Sequence, residues 1–455
     1  MVRPLLRFLL LLLLTLGGCF GFLSLDWRPK RAPDVLSVHS SVVSSPIEGG
    51  LVAGVAEIDI TPTSPLPLAG FAARRGREFE SIRDPVHVRA LALSLDSGGP
   101  PIVIINVDTA LIPYELSRKI RLSLFERIVE PLDVVVTATH THAGPGGIWN
   151  NRLASLAGMG SYEADYTDEL TLRAAEAAEK AIEGMIPVDL WVTEGEGPPI
   201  CENRHEHREA DRRLQVWSLR AEKETLARLV VFACHPTFLG HRDRRLSAGW
   251  PGETARMLDG VTFLFQGAVG DQRPASFSLE DMGIHESADL DLSAPEGRMK
   301  AAGRAVASAI VQLEETAAQK EMTERYSLEL QSAHLRLPAA SGAMIAPPAL
   351  SGIAGNILAR FAPEHTSITL VRIGDSGLLF LPGEVVSELA KRWESAPGIR
   401  TVSLSDGYMG YLEVPEALAA RRGESAHAYF DEDALDVIDK GVQLLLSRDE
   451  RAGLE

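Results

Sequence analysis

The chain has 455 residues but only three cysteines, which excludes a framework of several disulfides. It also lacks a basic surplus, because 62 acidic residues against 45 lysines and arginines leave a formal net charge of −17. Proteins that bind nucleic acid usually carry a basic face, so we expect no nucleic-acid partner. Beyond Leu25 the sequence contains no internal repeat and no low-complexity tract. A length of 455 residues allows one large domain or two ordinary ones, and a hydrophobic content of 45% is normal for a globular fold.

Several common catalytic motifs are also absent. The sequence contains no G-x-S-x-G nucleophile elbow, no phosphate-binding loop and no dinucleotide fingerprint. The zinc motif H-E-x-x-H is incomplete, because Glu209 stands where the second histidine should follow His205-Glu206. These absences argue against the serine hydrolases, nucleotide-binding enzymes and metalloproteases that carry those motifs.

The N-terminal segment, residues 1–25, is expected to lie outside the fold. Two arginines precede an uncharged run from Phe8 to Leu25. This pattern is typical of a cleaved signal peptide or of a membrane anchor, and Leu16-Gly-Gly-Cys19 also resembles a bacterial lipobox. Each alternative predicts a domain outside the cytoplasm, either secreted or periplasmic or held at the membrane by this segment, provided that an anchor points outward. Residues 26–48 are interpreted as a linker.

From Gly49 onward, apolar β-rich segments alternate with segments of helical periodicity. The alternation predicts an α/β fold in which mixed β-sheets are layered with α-helices. Residues 339–361 are rich in Ala, Pro and Gly and are expected to be irregular. Strands are predicted at 86–95, 102–107, 133–139, 190–193, 213–219, 227–233, 262–265, 367–373 and 377–381. Helices are predicted at 113–128, 168–186, 296–315, 384–393 and 433–446.

The most informative stretch is Val134–Gly147, where a β-branched run leads into His140-Thr-His142 and then Gly-Pro-Gly-Gly. In an extended segment, residues i and i+2 point to the same face, so both imidazoles can converge on one ligand at the end of a strand. The glycines allow the backbone to approach that ligand closely. A bare His-x-His is more often a pair of surface histidines, and the flanking strand and glycines favour a site.

Three other predicted strands also end in polar residue types, namely His235, Asp271 and Glu384, the last at the start of a predicted helix. In open α/β sheets, ligands bind beyond the carboxyl ends of strands, so we expect a single metal site there, in a cleft. The cleft is expected to be lined by His140, His142, His235, Asp271 and Glu384. Two imidazoles and a carboxylate form a common catalytic zinc set, in which zinc lowers the pKa of a bound water to ~7. Zn²⁺ is therefore the expected cofactor.

The order of the motifs resembles the catalytic domain of the neutral (non-lysosomal) ceramidase family. The most specific match is Thr139-His-Thr-His-Ala-Gly-Pro-Gly146. The other matches extend over about residues 50–430 and are Gly54–Pro62, Arg83–Leu91, Asn106–Asp108, Asn203-Arg204, His235–Thr237, Gly270-Asp271, Pro382–Glu384 and Tyr408–Tyr411. The resemblance implies a ceramidase-like catalytic domain at residues 49–455, without the β-sandwich module that follows in the family.

The resemblance also implies an activity. It implies a zinc-dependent hydrolase that cleaves an N-acyl amide, most readily in a ceramide-like lipid, by metal-activated water. It implies the zinc ligands His140, His235, Glu384 and Tyr411. Tyr408 is the rival to Tyr411 as the phenolic ligand. His142 would orient the water or pass a proton to the leaving amine, and Arg204 would contact the substrate carbonyl or its developing oxyanion.

One departure from the family changes the expected substrate. The family continues Gly-Asp with Val-Ser-Pro, whereas here Gln272-Arg273-Pro274 follows Asp271, so an arginine replaces the serine. A serine-acyl mechanism at this position is excluded, while Asp271 and Arg273 stay in the expected site and Arg273 is expected to bind an anionic group. Two alternatives therefore remain open. One is a zinc hydrolase of a polar or anionic amide or ester, which the basic cluster at 240–245 also favours, and the other is a membrane-tethered binding protein without catalysis.

The sequence leaves the state of the remaining cysteines open. Cys201 and Cys234 form either one disulfide or two buried thiols. Cys234 precedes His235, but nothing in the sequence pairs it with a base, so it is interpreted as a buried thiol and not as a nucleophile.

Overall fold

The computed structural model describes residues 31–42, 49–128, 132–284, 290–317, 325–341, 351–359 and 362–447. The predicted signal or anchor segment, residues 1–25, lies outside these ranges. Within them, no helix is both long enough and apolar enough to cross a bilayer.

The described chain alternates strands and helices, as predicted. The strands are β1 (Asp34–Val42), β2 (Leu51–Asp59), β3 (Ser81–Ile82), β4 (His87–Leu95), β5 (Ile102–Val107), β6 (Asp133–Ala138), β7 (Ile186–Pro187), β8 (Asp189–Glu196), β9 (Cys201–Asn203), β10 (Arg213–Ala221), β11 (Glu224–Phe232), β12 (Arg245–Leu246), β13 (Val261–Gln266), β14 (Gln272–Pro274), β15 (Leu328–Arg336), β16 (His365–Ile373), β17 (Ser376–Phe380), β18 (Glu384–Val385), β19 (Ile399–Val402) and β20 (Tyr411–Leu412). The α-helices of two turns or more, or nearly so, are Tyr114–Arg127, Ala164–Glu183, Gly249–Arg256, Pro295–Ala317, Ser351–Leu358, Ser387–Trp393, Pro415–Ala420 and Glu432–Leu446. Single turns lie at Ala72–Arg74, Arg152–Ala154, Ser155–Met159 and Gly423–His427.

Three large sheets form the body of the described chain. Their strand orders are β6-β5-β4-β2-β7, β13-β11-β10-β8 and β1-β15-β16-β17-β19. Each sheet is mostly antiparallel but contains one parallel pair: β5 with β6, β11 with β13, and β17 with β19. The prediction of mixed sheets layered with helices is confirmed. Because a parallel pair requires a crossover connection, each of these pairs is joined by chain that includes a helix or a long loop.

The three sheets share one hydrophobic core. Leu91 of β4, Trp217 of β10 and Phe380 of β17 belong to the same cluster of buried side chains. Phe265 of β13 and Phe380 pack edge to face, with ring centroids 5.8 Å apart. The near-continuously apolar strands are therefore buried on both faces, as their composition predicts.

Helix Ala164–Glu183 covers the other face of the first sheet with small side chains. Ala174, Ala178 and Ala181 are fully buried in the cluster that includes β4 and β5 side chains. On the sheet side, a Cβ at Gly54 would lie only 2.0 Å from the carbonyl oxygen of Ala181. The alanine face and the glycine together allow this close approach of helix and strand.

Two predictions of irregular chain are wrong in part. Residues Asp34–Val42, expected within a linker, form edge strand β1, which pairs antiparallel with β15. As an edge strand, β1 has one neighbour, and its inward-facing residues, such as Val35 and Val38, are only partly buried. Few of its residues therefore need to be apolar, so its composition is close to that of a linker. Ser351–Leu358 forms a helix inside the segment expected to be irregular, because Leu358 packs against the third sheet's core in spite of two glycines. Residues 342–350 of that segment lie outside the described ranges.

Cys201 and Cys234 form a disulfide, with 5.6 Å between their Cα atoms. The interpretation of Cys234 as a free thiol is therefore wrong. The two residues are 33 positions apart, and they meet because both pack into the same hydrophobic cluster. The spacing of two cysteines in the sequence does not show whether they lie close together in the fold. The sequence alone therefore could not decide between a disulfide and two buried thiols.

The shared core predicts where stability is concentrated. We expect Trp217→Ala to lower the free energy of unfolding by about 3–5 kcal/mol, because it removes a fully buried indole between the sheets. Leu36→Ala is the matched control, since Leu36 is 47% exposed on edge strand β1 and should change stability by less than about 0.5 kcal/mol. Urea unfolding followed by circular dichroism measures both, and equal midpoints would contradict the assignment of this core.

Candidate active site

His140 and His142 lie in the turn that follows β6. The strand ends at Ala138, and His140 has a φ of 65°, in the left-handed region that few non-glycine residues adopt. Its imidazole Nδ1 lies 2.5 Å from the carbonyl oxygen of Ala110 and donates a hydrogen bond to it. This bond fixes the tautomer and leaves the Nε2 lone pair free. The two rings converge as expected, but through this turn and not through the alternation of an extended strand.

The loop that includes Gly70 holds His142 from the other side. Gly70 has a φ of +99°, and a Cβ there would lie 2.5 Å from the imidazole ring of His142. Phe71 packs edge to face against the same ring, with centroids 4.9 Å apart. The buried guanidinium of Arg74 donates hydrogen bonds to the carbonyls of His142 and Ala69, and burial lowers its pKa to about 10. The motif analysis did not identify this loop, because its role arises only from its contact with His142.

His235, in the loop after β11, completes a group of three histidines. Its Nε2 lies 3.1 Å from Nε2 of His140, and Nε2 of His142 lies 3.4 Å from the same atom. The Nδ1 of His235 is 3.4 Å from the carbonyl oxygen of Val269 and 3.2 Å from Nη2 of Arg204. Only the tautomer that donates from Nδ1 to Val269 leaves Nε2 free as a ligand. All three rings are buried.

Burial also sets the charge of these rings. It lowers the pKa of His142 and of His235 well below the ordinary value, and the neighbouring His140 and Arg204 act in the same direction. Both imidazoles are therefore neutral at neutral pH, which is the form that binds a metal ion.

Glu384 reaches the histidines from the segment that follows β17 of the third sheet. It lies in the short strand β18, opposite Tyr411 of β20, and not at the start of a helix as expected, since the helix begins at Ser387. Its Oε1 accepts a hydrogen bond of 2.8 Å from Tyr408. Its Oε2 lies 3.4 Å from Nε2 of His140 and 3.7 Å from Nε2 of His235. Burial acts to raise the pKa of Glu384, but His140 and hydrogen bonds from Tyr411 and Tyr408 outweigh burial and lower it.

The spacing of these atoms fits a metal ion. In a tetrahedral site with metal–nitrogen bonds of about 2.0–2.1 Å, neighbouring ligand atoms lie about 3.3–3.4 Å apart. Nε2 of His140 lies 3.1–3.4 Å from the other two histidine nitrogens and from Oε2, and Nε2 of His235 lies 3.7 Å from Oε2, all close to this value. Oε2 is buried, and no group in the described part of the chain donates a hydrogen bond to it. An unpartnered buried carboxylate oxygen among imidazole lone pairs is unfavourable without a cation.

Arg204 and Tyr411 lie beside the histidines, as the motifs imply. Nη1 of Arg204 is 3.3 Å from the Tyr411 hydroxyl and 3.0 Å from Oε2 of Glu424. Burial acts to lower the pKa of Arg204, but Tyr411 and Glu424 outweigh it, so the guanidinium stays charged. Glu424 also accepts hydrogen bonds from His205 and His427. Sequence reasoning missed Glu424, which lies in an unremarkable charged segment and gains its role from the turn at Gly423–His427.

Two predicted site residues lie outside this group. Asp271 is fully buried, and its oxygens accept hydrogen bonds from Asn203, Gln272 and both the backbone and the hydroxyl of Ser387. It therefore fixes the position of neighbouring loops and has no free lone pair directed at the histidines. Arg273 is 56% exposed and pairs with Glu202 at 2.8 Å.

A narrow cavity of about 70 Å³ opens beside the cluster. His140, His142 and Glu384 form its polar wall, and its apolar wall consists of Leu111, Trp149, Met159, Tyr408 and Tyr429 together with small residues. A space of this size holds roughly five water-sized groups. It therefore admits a reacting carbonyl group and a water.

Comparison with known proteins agrees with this geometry. Residues 51–260 match the family model described as neutral/alkaline non-lysosomal ceramidase, N-terminal. The fold is similar to the crystal structure of a neutral ceramidase from Pseudomonas aeruginosa, with a TM-score of 0.70, 16% identity, and coverage of 86% of this chain and 73% of that chain. It is equally similar to a ceramidase complexed with C2, with a TM-score of 0.71, 17% identity, and coverage of 87% and 75%. At these identities, the two structures establish a common fold.

The position of Glu384 depends on Tyr408. We expect Tyr408→Phe to weaken metal binding by about 10- to 100-fold, because Oε1 loses its donor and the carboxylate can rotate away from His140. Tyr429→Phe is the matched control, since Tyr429 packs edge to face on Tyr408 with centroids 6.1 Å apart and its loss of a hydroxyl leaves the Tyr408–Glu384 bond in place. Competition with a chelating indicator measures both affinities. Unchanged affinity in Tyr408→Phe would contradict this role.

Proposed function

Because residues 51–260 match the family model of the neutral/alkaline non-lysosomal ceramidase N-terminal domain, we propose that the chain is a zinc-dependent amidohydrolase that cleaves the N-acyl amide of a ceramide-like lipid. One observation carries the proposal: three imidazoles and one carboxylate oxygen converge at metal-ligand spacing in a buried site. Both similar structures are of ceramidases, which supports the same class of substrate.

The proposed ligands are His140, His235, Glu384 and Tyr411. Bound there, zinc would lower the pKa of a coordinated water and polarise the amide carbonyl. Nε2 of His142 lies 3.4 Å from Nε2 of His140, so His142 is also within reach of the ion. We assign it the proton transfer, from the attacking water to the leaving nitrogen, because its ring lines the cavity beside His140 and Glu384.

Arg204 is the proposed partner of the carbonyl oxygen. As that oxygen gains negative charge in the transition state, a fixed cation stabilises it. The retained charge of Arg204 and its hydrogen bond to Glu424 support this role, because the guanidinium is held in place before the reaction.

The alternative of a polar or anionic substrate receives little support from the geometry. Its basis was Arg273 and the basic cluster at 240–245. Arg273 pairs with Glu202, Arg244 with Glu80, and Arg245 with Asp243 and Glu296. Within the described part of the chain, the exposed Arg242 is the one arginine of this cluster without an ion pair, so little free positive charge faces a substrate. The intact cluster of possible ligands likewise argues against a binding protein without catalysis.

We further propose that the domain works outside the cytoplasm. The N-terminal sequence pattern motivates this proposal, and the Cys201–Cys234 disulfide supports it. Disulfides persist in oxidising compartments and are rare in the cytosol. This proposal predicts an intact Cys201–Cys234 disulfide in protein whose N-terminal segment has been cleaved or holds it at a membrane.

The proposed ligands predict a loss of metal together with activity. Purified protein should contain about one zinc ion per chain and release fatty acid from a short-chain ceramide, whereas His235→Ala should lose both. His39→Ala is the control, since this histidine is 58% exposed on β1 and lies outside the cluster. His142→Ala should keep its zinc and lose turnover. Elemental mass spectrometry and a fatty-acid release assay give these values, and wild-type protein that binds no zinc after reconstitution would refute the proposal.

The proposed role of Arg204 predicts a contrast with Arg273. Arg204→Ala should lower kcat/KM by about 100-fold or more and leave the zinc content unchanged, because one donor to the developing oxyanion is lost. Arg273→Ala should stay within about 3-fold of wild type, since its guanidinium is an exposed partner of Glu202. A large loss in Arg273→Ala, confined to carboxylate-bearing substrates, would instead favour the anionic alternative.

A further inference from the structure

We propose that the Cys201–Cys234 disulfide is a positioning element of the active site and that it acts by holding Arg204 against His235 and Tyr411. The inference rests on the proposed function, in which Arg204 contacts the substrate. Cys234 directly precedes His235, and Cys201 lies three residues before Arg204. The bond thus joins the chain segment of a metal-site histidine to the chain segment of the proposed oxyanion partner.

Arg204 lies outside the large sheets. It follows β9, which pairs only with β14 in a two-stranded ribbon among the described strands, through Cys201 with Pro274 and Asn203 with Gln272. The backbone N–H of Arg204 donates to the carbonyl of Asp271 at 2.7 Å, which is again a contact within this ribbon and the turn that precedes β14. The disulfide is the covalent connection between the ribbon and the end of β11.

His235 has anchors of its own. The backbone N–H of Cys234 donates to Oε1 of Gln266 at 3.2 Å, and the indole of Trp250 donates to the carbonyl of Cys234 at 2.9 Å. Strand β11 also lies inside its sheet between β10 and β13. The ribbon keeps the hydrogen bonds of Asn203 and Asp271 with Ser387. Loss of the disulfide should therefore leave His235 in place and loosen the Cys201 end of the ribbon, which shifts Arg204.

This asymmetry distinguishes positioning from general stabilisation. If the disulfide only stabilises the fold, its removal should lower the unfolding midpoint and leave the catalytic constants of the folded protein unchanged. If the disulfide positions Arg204, its removal should lower kcat/KM of the folded protein, and only while Arg204 is present. A displacement of about 1 Å in a positioning group can cost about 100-fold in rate.

The test is a double-mutant cycle in the zinc-loaded full chain. Cys201→Ala/Cys234→Ala should lower kcat/KM on short-chain ceramide by up to about 100-fold, with the zinc content still about one per chain. The same two substitutions in an Arg204→Ala background should cost less than about 3-fold more. Ile310→Val is the control for a small loss of packing in the same hydrophobic cluster, because Ile310 is fully buried on helix Pro295–Ala317, far along the chain from the ribbon.

Hydrogen exchange gives a second readout that does not depend on activity. In the double variant, backbone amides at 201–208 should exchange at least about 10-fold faster, and those at 229–235 should keep their protection. If the double-alanine variant does not fold, Cys201→Val/Cys234→Ala refills part of the buried volume and serves instead.

The outcomes separate the two proposals. If the wild type is active and the losses in the cycle are additive, the positioning role is overturned. Unchanged exchange at 201–208 in the double variant would overturn it as well. Loss of zinc from the double variant would also overturn it, because His235 would then be the residue released. Wild type that neither binds zinc nor cleaves the amide would refute the proposed function, and the exchange measurement would still decide whether the disulfide holds the ribbon.

Discussion

Four buried atoms with lone pairs converge at the ends of the three sheets, and this convergence is the constraint on which the site depends. Nε2 of His140, His142 and His235 and Oε2 of Glu384 each lie 3.1–3.4 Å from the nearest other atom of the group. Such atoms repel one another unless a cation lies between them, and burial makes that repulsion stronger. The fold brings them together because strands β6, β11 and β17 each belong to a different sheet and end at the same side of the shared core.

Each converging atom is held from behind by an ordinary hydrogen bond or contact. The carbonyl of Ala110 fixes the ring of His140, Tyr408 fixes Oε1 of Glu384, and the glycine at 70 makes room for the ring of His142. Asp271, which was expected in the site, belongs to this supporting layer, since its carboxylate ties β14 to the start of helix Ser387–Trp393. Because this buried carboxylate accepts several hydrogen bonds, its loss would displace the neighbouring loops and would affect the site only through that displacement.

The sequence predicted the elements and most of the site better than it predicted the supports. Long apolar strands and periodic helices are local patterns, and the His-x-His turn and the strand-terminal His235 and Glu384 are visible because strand ends collect ligands in layered folds. Edge strand β1 was missed because one-sided burial leaves a mixed composition, and the helix at Ser351–Leu358 because packing overrides its glycines. The disulfide, Glu424 and Arg74 could not be found, since each depends on contacts between segments far apart in the chain. The family motifs supplied Arg204 and Tyr411, which spacing alone did not indicate.

Arg204 links these parts, because its charge acts on three groups at once. Burial lowers the pKa of His142 and His235 most strongly, and Arg204 adds to the effect in both, which favours the neutral imidazoles that a metal requires. In Tyr411, burial and Glu384 raise the pKa, and Arg204 acts against them through a contact of 3.3 Å. The same cation therefore favours the ligand form of every titratable neighbour on its side of the cluster. Glu424 at the guanidinium and the carbonyl of Asp271 at the backbone hold this cation in place, and the proposed role of the disulfide adds a third anchor.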